Sequence, residues 1–225
     1  MSTYISLTNE LLRRLNEVTI PDEDFAGVRN IQALAKDAIN NSVRHIVQVA
    51  QEWPFTLTTY MQTMTAGVRE YDMPTDLSSI DWDSFYVKKH ASLENQPAKL
   101  DVVSYNEYLR HFRPLDDEGQ EGVPVRIYQT QEGKFGVSPN PDGAYEVEYK
   151  YWVFPDSMVT KDDVCIIPDR FTHVVIDGAM MYMMRFRSNE QSAQLHRQEF
   201  EEGIRHMRRL LLDDPMTMSS TVVVR

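Results

Sequence analysis

The chain has 225 residues, of which 42% are hydrophobic and 25% are charged, so it is long enough to bury a core of ordinary composition. Lys and Arg number 23 against 34 Asp and Glu, which gives a formal net charge of −11. This acidic balance argues against a protein that wraps nucleic acid, because phosphate binding needs a basic footprint. It is compatible with a surface past which DNA slides without binding.

Cysteine content and the lack of long apolar runs indicate a soluble protein made in the cytosol. Cys165 is the single cysteine, so neither an internal disulfide nor a cysteine-based zinc site is expected. The N-terminal segment MSTYISLTNELLRRL does not have the basic and then apolar order of a signal peptide. No stretch approaches the roughly 18 apolar residues of a membrane span, and we expect no membrane partner.

Two helices are predicted in the first part of the chain. In SLTNELLRRLNEV the leucines recur at helical spacing, and Ser6 or Thr8 can cap the start. A longer helix is predicted from Phe25 to Glu52, stopped by Pro54, with a length on the order of 40 Å. Its apolar face comprises Ile31, Ala35, Ala38, Ile39, Ile46, Val49, Ala50 and Trp53.

Strands are predicted in the middle of the chain, from residue 55 to residue 167. Alternating β-branched and aromatic residues surround turns at Gly67 and in QTQEG and SPNPDG, and Ser104 is expected to cap a short helix. In AYEVEYKYWVF polar and apolar side chains alternate, which is the period of a half-buried strand. We expect Tyr149 and Tyr151 to face the core.

Two further helices are predicted before the C-terminal tail. The first, in IIPDRFTHVVIDGAMMYMMRF, begins at Pro168, and its Gly178 is expected to let another helix approach closely. The second has glutamates early and arginines late, an order that suits the helix dipole. The first helix is apolar on nearly all sides, which favours burial against other copies of the chain. Its methionines are Met180, Met181, Met183 and Met184.

These elements predict an α+β fold. A helical bundle of N- and C-terminal helices encloses an inserted antiparallel β-domain, and an extended arm closes the chain. The helical core domain is assigned to residues 1–54 and 168–212, the β-rich insertion to residues 55–167 and the C-terminal arm to residues 213–225. The predicted partner-binding residues of the arm are Met216, Met218, Val222, Val223, Val224 and Arg225.

No catalytic, cofactor-binding or metal-binding residue is predicted. Ser138 ends a strand and lacks the second glycine of a nucleophile elbow, so it is not expected to be a catalytic nucleophile. The histidines form no His-x-x-x-His pair with an intervening glutamate. Asp81 and Asp83 flank Trp82, and two carboxylates beside aromatic rings leave a sugar-cleaving enzyme open, although acids on one short strand are usually a solvated face.

Three stretches carry a resemblance to a known family. AINNSVRHIVQVAQEWPFTL resembles a long helix that ends in Trp-x-Phe and runs into a strand. PVRIYQTQEGKFGVSPNPDGAYEVEYKYW is similar to a strand that meets a Pro-x-Pro turn and then a Tyr-rich strand. IIPDRFTHVVIDGAMMYMMRFRSNEQSAQLHRQEFEEGIRHMRRLL resembles a Pro-initiated helix, a short break and a charged helix. In this order the stretches resemble the head-to-tail connector adaptors of tailed bacteriophages, the group that includes tail tubular protein A of short-tailed phages.

The resemblance implies a structural virion protein rather than an enzyme. Such adaptors form a ring, commonly of twelve copies, that docks under the portal protein and joins it to the tail nozzle or a downstream tail protein. DNA crosses the lumen during ejection without specific binding, and the C-terminal arm reaches the portal or a neighbouring copy. The expected location is the head–tail interface of the virion, after assembly in the host cytoplasm. No cofactor is implied.

Two alternatives stay open at this point. One is a tail-associated peptidoglycan hydrolase that uses Asp81 and Asp83 as its carboxylates. The other is a different tail-completion or assembly protein. The segment from Asp72 to Pro124 has no counterpart that we assign in the adaptor family.

Overall fold

The computed structural model describes residues 2–88, 98–130 and 133–212 of the chain. The chain divides into two compact units, one formed by Met1–Thr56 with Pro155–Arg225 and the other by Leu57–Phe154. The first unit is helical and the second is built mainly of strands, which confirms the predicted α+β fold with an inserted β-domain. The predicted C-terminal arm, residues 213–225, lies outside the described residues.

Helices of the first unit pack around a central one. Thr3 caps the first helix by accepting a hydrogen bond from the amide of Ser6, and Asn189 caps the last through the amide of Ser192. The helices are α1 (Tyr4–Arg14), α2 (Asn30–Val49), α3 (Thr172–Phe186) and α4 (Glu190–Leu211). Helix α3 contacts α1, α2 and α4, so it lies at the centre of this unit.

Helix α2 is shorter than predicted. It has 20 residues, which corresponds to about 30 Å instead of 40 Å. Asn30 has a φ of 53°, a left-handed conformation that separates the helix from the turns formed by residues 21–27. At its other end the helix stops at Val49, and the chain folds back so that the indole Nε1 of Trp53 donates to the carbonyl of Ile46 at 2.8 Å.

The methionines of α3 are buried within the chain itself, contrary to the argument that they need other copies. Met180, Met181 and Met183 are 5%, 2% and 1% exposed, and Met184 is half-buried. Because α1, α2 and α4 all pack on α3, an all-round apolar helix finds its cover in one protomer. The methionine content therefore does not indicate an oligomer.

The segment that begins at Pro155 belongs to the helical unit, whereas the sequence pattern predicts that residues up to 167 belong to the insertion. Cys165 and Ile167 are buried in the helical core. The amide of Tyr4 donates to the carbonyl of Asp163 at 2.8 Å, and the amide of Cys165 donates to the carbonyl of Ser2 at 3.0 Å. These long-range contacts tie the segment to the N-terminal residues, which a local sequence pattern does not reveal.

Strands of the second unit form two sheets and a short parallel pair within the described residues. In chain order the strands are β1 (Leu57–Thr63), β2 (Glu70–Asp72), β3 (Leu77–Lys88), β4 (Ala98–Lys99), β5 (Asp101–Val102), β6 (Glu121–Gly122), β7 (Arg126–Gln129), β8 (Lys134–Ser138), β9 (Asn140–Pro141) and β10 (Glu146–Val153). The sheet orders are β1-β10-β3-β4 and β2-β8-β7-β5, and β6 pairs with β9. Pairing is antiparallel except for the short pairs β5–β7 and β6–β9.

An aromatic cluster joins the two sheets. Phe85 of β3 stacks on Tyr149 of β10, with ring centroids 4.5 Å apart. Phe135 of β8 meets both rings edge-on at 5.6 Å, and such pairs add to the energy of apolar burial. Tyr149 and Tyr151 are 0% and 5% exposed, which confirms that this face of β10 is the core face.

A helical segment, residues 105–117, packs on the second sheet. It comprises Tyr105–Glu107, Tyr108–Phe112 and Arg113–Asp117. Ser104 caps it as predicted, since its side chain accepts a hydrogen bond from the Glu107 amide at 3.2 Å. The ring of Tyr108 stacks on that of Tyr128 in β7, with centroids 3.7 Å apart. This contact fastens the segment to β7.

Replacing Gly178 with alanine is expected to destabilise the protein by about 1–3 kcal/mol, because α3 has no room there. The added Cβ would lie 2.2 Å from Ser42 Oγ and 2.6 Å from Phe200 Cε2, and both of these side chains are fully buried. Ser42 is not free to turn away, since its hydroxyl donates to the carbonyl of Val175 at 2.7 Å. At an exposed position inside a helix, replacement of glycine by alanine would stabilise the protein by about 1 kcal/mol. A loss of stability in Gly178→Ala would therefore indicate close packing of the helices.

Urea unfolding followed by circular dichroism measures this change. Gly27→Ala is the matched control, because its added Cβ meets nothing closer than the carbonyl oxygen of Asp24 at 4.0 Å. We expect the control to change the free energy of unfolding by less than about 0.5 kcal/mol. A Gly178→Ala protein as stable as the wild type would contradict the close approach of α2 and α4 to α3.

Candidate functional surfaces

Ser138 is buried and bonded to a carboxylate. Its Oγ donates to Oδ1 of Asp116 at 3.2 Å, and the two residues are 2% and 3% exposed. Asp116 belongs to the helical segment 105–117, so this hydrogen bond fastens that segment to β8. The pair was missed in the sequence because 22 residues separate its members and no local motif links them.

Further polar groups stabilise the same contact. Nη1 of Arg69 donates to the hydroxyl of Tyr108 at 2.8 Å and to Oδ1 of Asp117 at 3.1 Å. Burial raises the pKa of Asp116 above its usual range, while hydrogen bonding, chiefly from Ser138, acts in the opposite direction. The cluster therefore holds a carboxyl group that resists ionisation, and its partners are structural contacts between the segment and the sheet.

Asp81 and Asp83 interact with their own sheet. The carboxylate of Asp81 accepts a hydrogen bond from the amide of Asp83 at 3.2 Å. Asp83 pairs with Lys99 of β4 at 3.1 Å, and its side chain is 85% exposed. Glycoside hydrolysis needs two carboxyl groups on opposite sides of a bound sugar. This pair instead stabilises an irregular stretch of β3 and its neighbouring strand.

The pairing of α3 with α4 brings together side chains that are able to bind a metal ion, although the sequence analysis predicts no metal ligand. They are Asp177, His196 and Glu199, and one donor atom from each lies within 4.8 Å of the others. His196 and Glu199 share a helix face because they are three residues apart. Asp177 lies on the preceding helix, so the group appears only once the helices are packed.

Strand β1 lies at the edge of its sheet and exposes apolar side chains. One of its edges pairs with β10, from Leu57 opposite Trp152 to Thr63 opposite Glu146. Within the described ranges no strand pairs with its other edge. Leu57, Tyr60 and Met61 are 39%, 38% and 51% exposed. Such an edge offers backbone hydrogen-bonding groups and apolar contacts to a strand of another chain.

The outward face of α4 is charged, with apolar side chains near both ends. Leu195 and Leu210 are 56% and 55% exposed. Between them, Arg197 pairs with Glu201 at 2.7 Å. The last turn carries the exposed arginines that the helix dipole favours, in line with the predicted charge order. They are Arg208 and Arg209.

Comparison with known proteins gives a match to the SU10 adaptor protein family over residues 2–225. The chain belongs to this family. The matched range includes residues of both structural units and residues 213–225, where the C-terminal arm is predicted. A search of the curated proteins finds no match to the chain.

An adaptor of this family is a structural phage protein and not an enzyme. It is a component of the virion and interacts with other proteins of the phage head or tail. The family membership thus confirms the predicted structural class and removes the hydrolase alternative for Asp81 and Asp83. No helix in the described part of this adaptor is long and apolar enough to cross a membrane.

The partner-binding residues predicted in the arm of the adaptor lie outside the described residues. These are Met216, Met218, Val222, Val223, Val224 and Arg225. Their role stays a prediction.

The stability of the adaptor is expected to depend on the ionisation of Asp116. Because burial raises the pKa of this group in the folded protein, the folded state keeps its proton at a pH where the unfolded chain has lost it. The free energy of unfolding of the wild type therefore falls relative to that of Asp116→Asn as the pH rises. The fall begins near 3.8, the ordinary pKa of an aspartate, and continues through the higher pKa of the folded state. Below that window the two proteins are expected to differ least.

Urea unfolding of the wild type and Asp116→Asn at a series of pH values measures the difference. Ser138→Ala is a second variant, since loss of a hydrogen bond that favours the carboxylate moves the fall in stability to higher pH. A difference between wild type and Asp116→Asn that does not change with pH would show that Asp116 is not perturbed.

Proposed function

We propose that this adaptor forms a homo-oligomeric ring at the head–tail interface, docked under the portal protein and joined to the tail nozzle or another tail protein. The proposal rests on one observation, the match of residues 2–225 to a family of phage adaptors. A connector between a head and a tail must contact both and leave a passage for DNA. A ring of repeated copies, commonly twelve in the tail tubular protein A group that the chain resembles, meets both needs.

Two exposed surfaces are candidates for the seam between neighbouring copies. A ring needs a heterologous interface, in which one surface of a copy meets an unlike surface of the next. The free edge of β1, with Leu57 and Met61, is one candidate, because a sheet edge recruits another chain through backbone hydrogen bonds. The outward face of α4, with Leu195 and Leu210, is an unlike surface that presents side chains alone.

The charge of the chain supports a lumen that DNA crosses without specific binding. The net charge of −11 repels phosphates at long range. Several arginines are also engaged by acids of the same protomer, as in the pairs of Arg14 with Glu10 and of Arg197 with Glu201. Neutralisation of phosphates by Lys and Arg is the main source of non-specific affinity for DNA. Arginines that are already paired with acids are less available for it.

The C-terminal arm, residues 213–225, is proposed to dock on the portal or on a neighbouring copy. Its sequence ends in three consecutive valines and an arginine. β-Branched residues suit addition of a strand to a partner sheet, and the arginine that follows them suits an acidic surface. The arm would thus contribute contacts outside its own protomer.

Mass photometry of the purified adaptor, alone and mixed with portal rings, tests the ring. We expect a higher-order ring in at least one sample. Met61→Lys is expected to weaken the association about tenfold, because a charged residue on an edge strand opposes strand addition. Val159→Lys is the control, since Val159 is apolar and 72% exposed but lies on neither candidate surface.

Two results would count against these assignments. Absence of a ring in both samples would contradict the proposed function. If Met61→Lys forms the same ring as the wild type, the ring proposal stands, but the edge of β1 is excluded from the interface between copies.

Deletion of Met216–Arg225 is expected to leave the fold intact and to weaken docking on the portal. The reason is that the described residues of each unit already form a buried core of their own. Circular dichroism and urea unfolding report the fold, and co-sedimentation with portal rings reports docking. A variant in which these residues are replaced by a Gly-Ser tail of equal length separates the chemistry of the arm from its length. Docking as strong as that of the wild type in both variants would exclude a role for the arm.

A further inference from the structure

Close packing fixes the distance between α3 and α4. An added Cβ at Gly178 would lie 2.6 Å from Phe200 Cε2, and one at Gly203 would lie 2.8 Å from Val174 Cγ2. Gly178 belongs to α3 and Gly203 to α4, and at both points there is no space for the helices to move closer together. Asp177 directly precedes Gly178, so its position relative to α4 is set by the same contact.

The side chains of Asp177, His196 and Glu199 converge beside this contact. One donor atom from each lies within 4.8 Å of the other two, and Nδ1 of His196 is 3.1 Å from Oε2 of Glu199. Zinc binds nitrogen and oxygen ligands at roughly 2.0–2.2 Å, which places ligand atoms roughly 3–4 Å from one another. The three donors therefore need only small side-chain rotations to surround one ion.

The electrostatics of the cluster favour a cation. Asp177 is half-buried, and a carboxylate oxygen of Asp177 lies within 4.8 Å of one of Glu199. The two carboxylates thus repel one another in a partly desolvated place. His173 lies one helical turn before Asp177 and is exposed, but it is not part of the cluster.

Arg14 contacts Asp177 and would compete with an ion for its carboxylate. Its Nη1 is 3.2 Å from Oδ1 of Asp177, while its Nη2 contacts Oε1 of Glu10 at 3.0 Å. A carboxylate has a second oxygen, so Oδ2 can bind an ion while Oδ1 keeps its hydrogen bond. Metal-bound carboxylates are commonly held by such an outer partner, which fixes their orientation.

We propose that Asp177, His196 and Glu199 bind a divalent first-row transition-metal ion, zinc being the best fit, and that the ion ties α3 to α4. An imidazole together with carboxylates suits Zn²⁺, whereas Ca²⁺ and Mg²⁺ prefer a shell made of oxygen alone. The ion would be structural, since the cluster lies on the surface of a helix pair in a protein of a structural family. The site is independent of the proposed ring.

Thermal unfolding of the full chain, first freed of metal with EDTA, tests the site. Zn²⁺ is expected to raise the melting temperature of the wild type, because a ligand that binds only the folded state stabilises it. His196→Gln and Asp177→Asn are expected to lower the affinity for zinc about tenfold or more. His206→Gln is the matched control, since His206 is exposed on α4 but is not part of the cluster.

Visible absorption of Co²⁺ bound in place of zinc gives a second measurement that reports the ligands directly. We expect the absorption bands in the wild type and His206→Gln, and their loss or shift in His196→Gln. Circular dichroism checks that each variant is folded. The proposal fails if zinc does not stabilise the wild type, or if it stabilises His196→Gln and Asp177→Asn as strongly as His206→Gln.

Discussion

The helical unit depends on the close approach of α2 and α4 to α3 at Gly178. Ser42 of α2 and Phe200 of α4 both reach the space that a side chain there would fill. Helix α2 comes from the N-terminal part of the chain, whereas α3 and α4 come from the C-terminal part. The helical core is therefore complete only when both parts of the chain pack together, and Leu57–Phe154 is inserted between them in the sequence.

The same contact arranges the surfaces on which the adaptor can act. With α3 covered inside one protomer, contacts with other proteins are left to exposed positions such as the edge of β1 and the outward face of α4. The spacing of α3 and α4 also sets the distance from Asp177 to His196 and Glu199. The β unit has its own core, in which Phe85, Phe135 and Tyr149 join the sheets, so its edge strand is supported independently of the helices.

Patterns of short range predicted the fold well, and contacts of long range were missed. Neighbouring residues are enough to predict that Tyr149 and Tyr151 are buried and that Ser104 caps a helix. They are also enough to predict that another helix approaches α3 closely at Gly178. Three features depend on segments that meet only in the folded chain. They are the burial of Met181, the hydrogen bond of Ser138 with Asp116 and the candidate metal-binding group. The start of α2 was misplaced because the backbone of Asn30 overrides an apolar pattern that continues through it.

The chain enters the β unit along β1 and leaves it along β10, and these strands are paired, with Leu57 opposite Trp152. The two crossing points between the units are thus neighbours in one ladder. When the two ends of an insertion lie close together, the insertion can be lengthened, shortened or exchanged without changing the distance between its ends. The fold that carries the insertion then needs no adjustment at the junction. A change in the length of the β unit is therefore compatible with an unchanged helical unit.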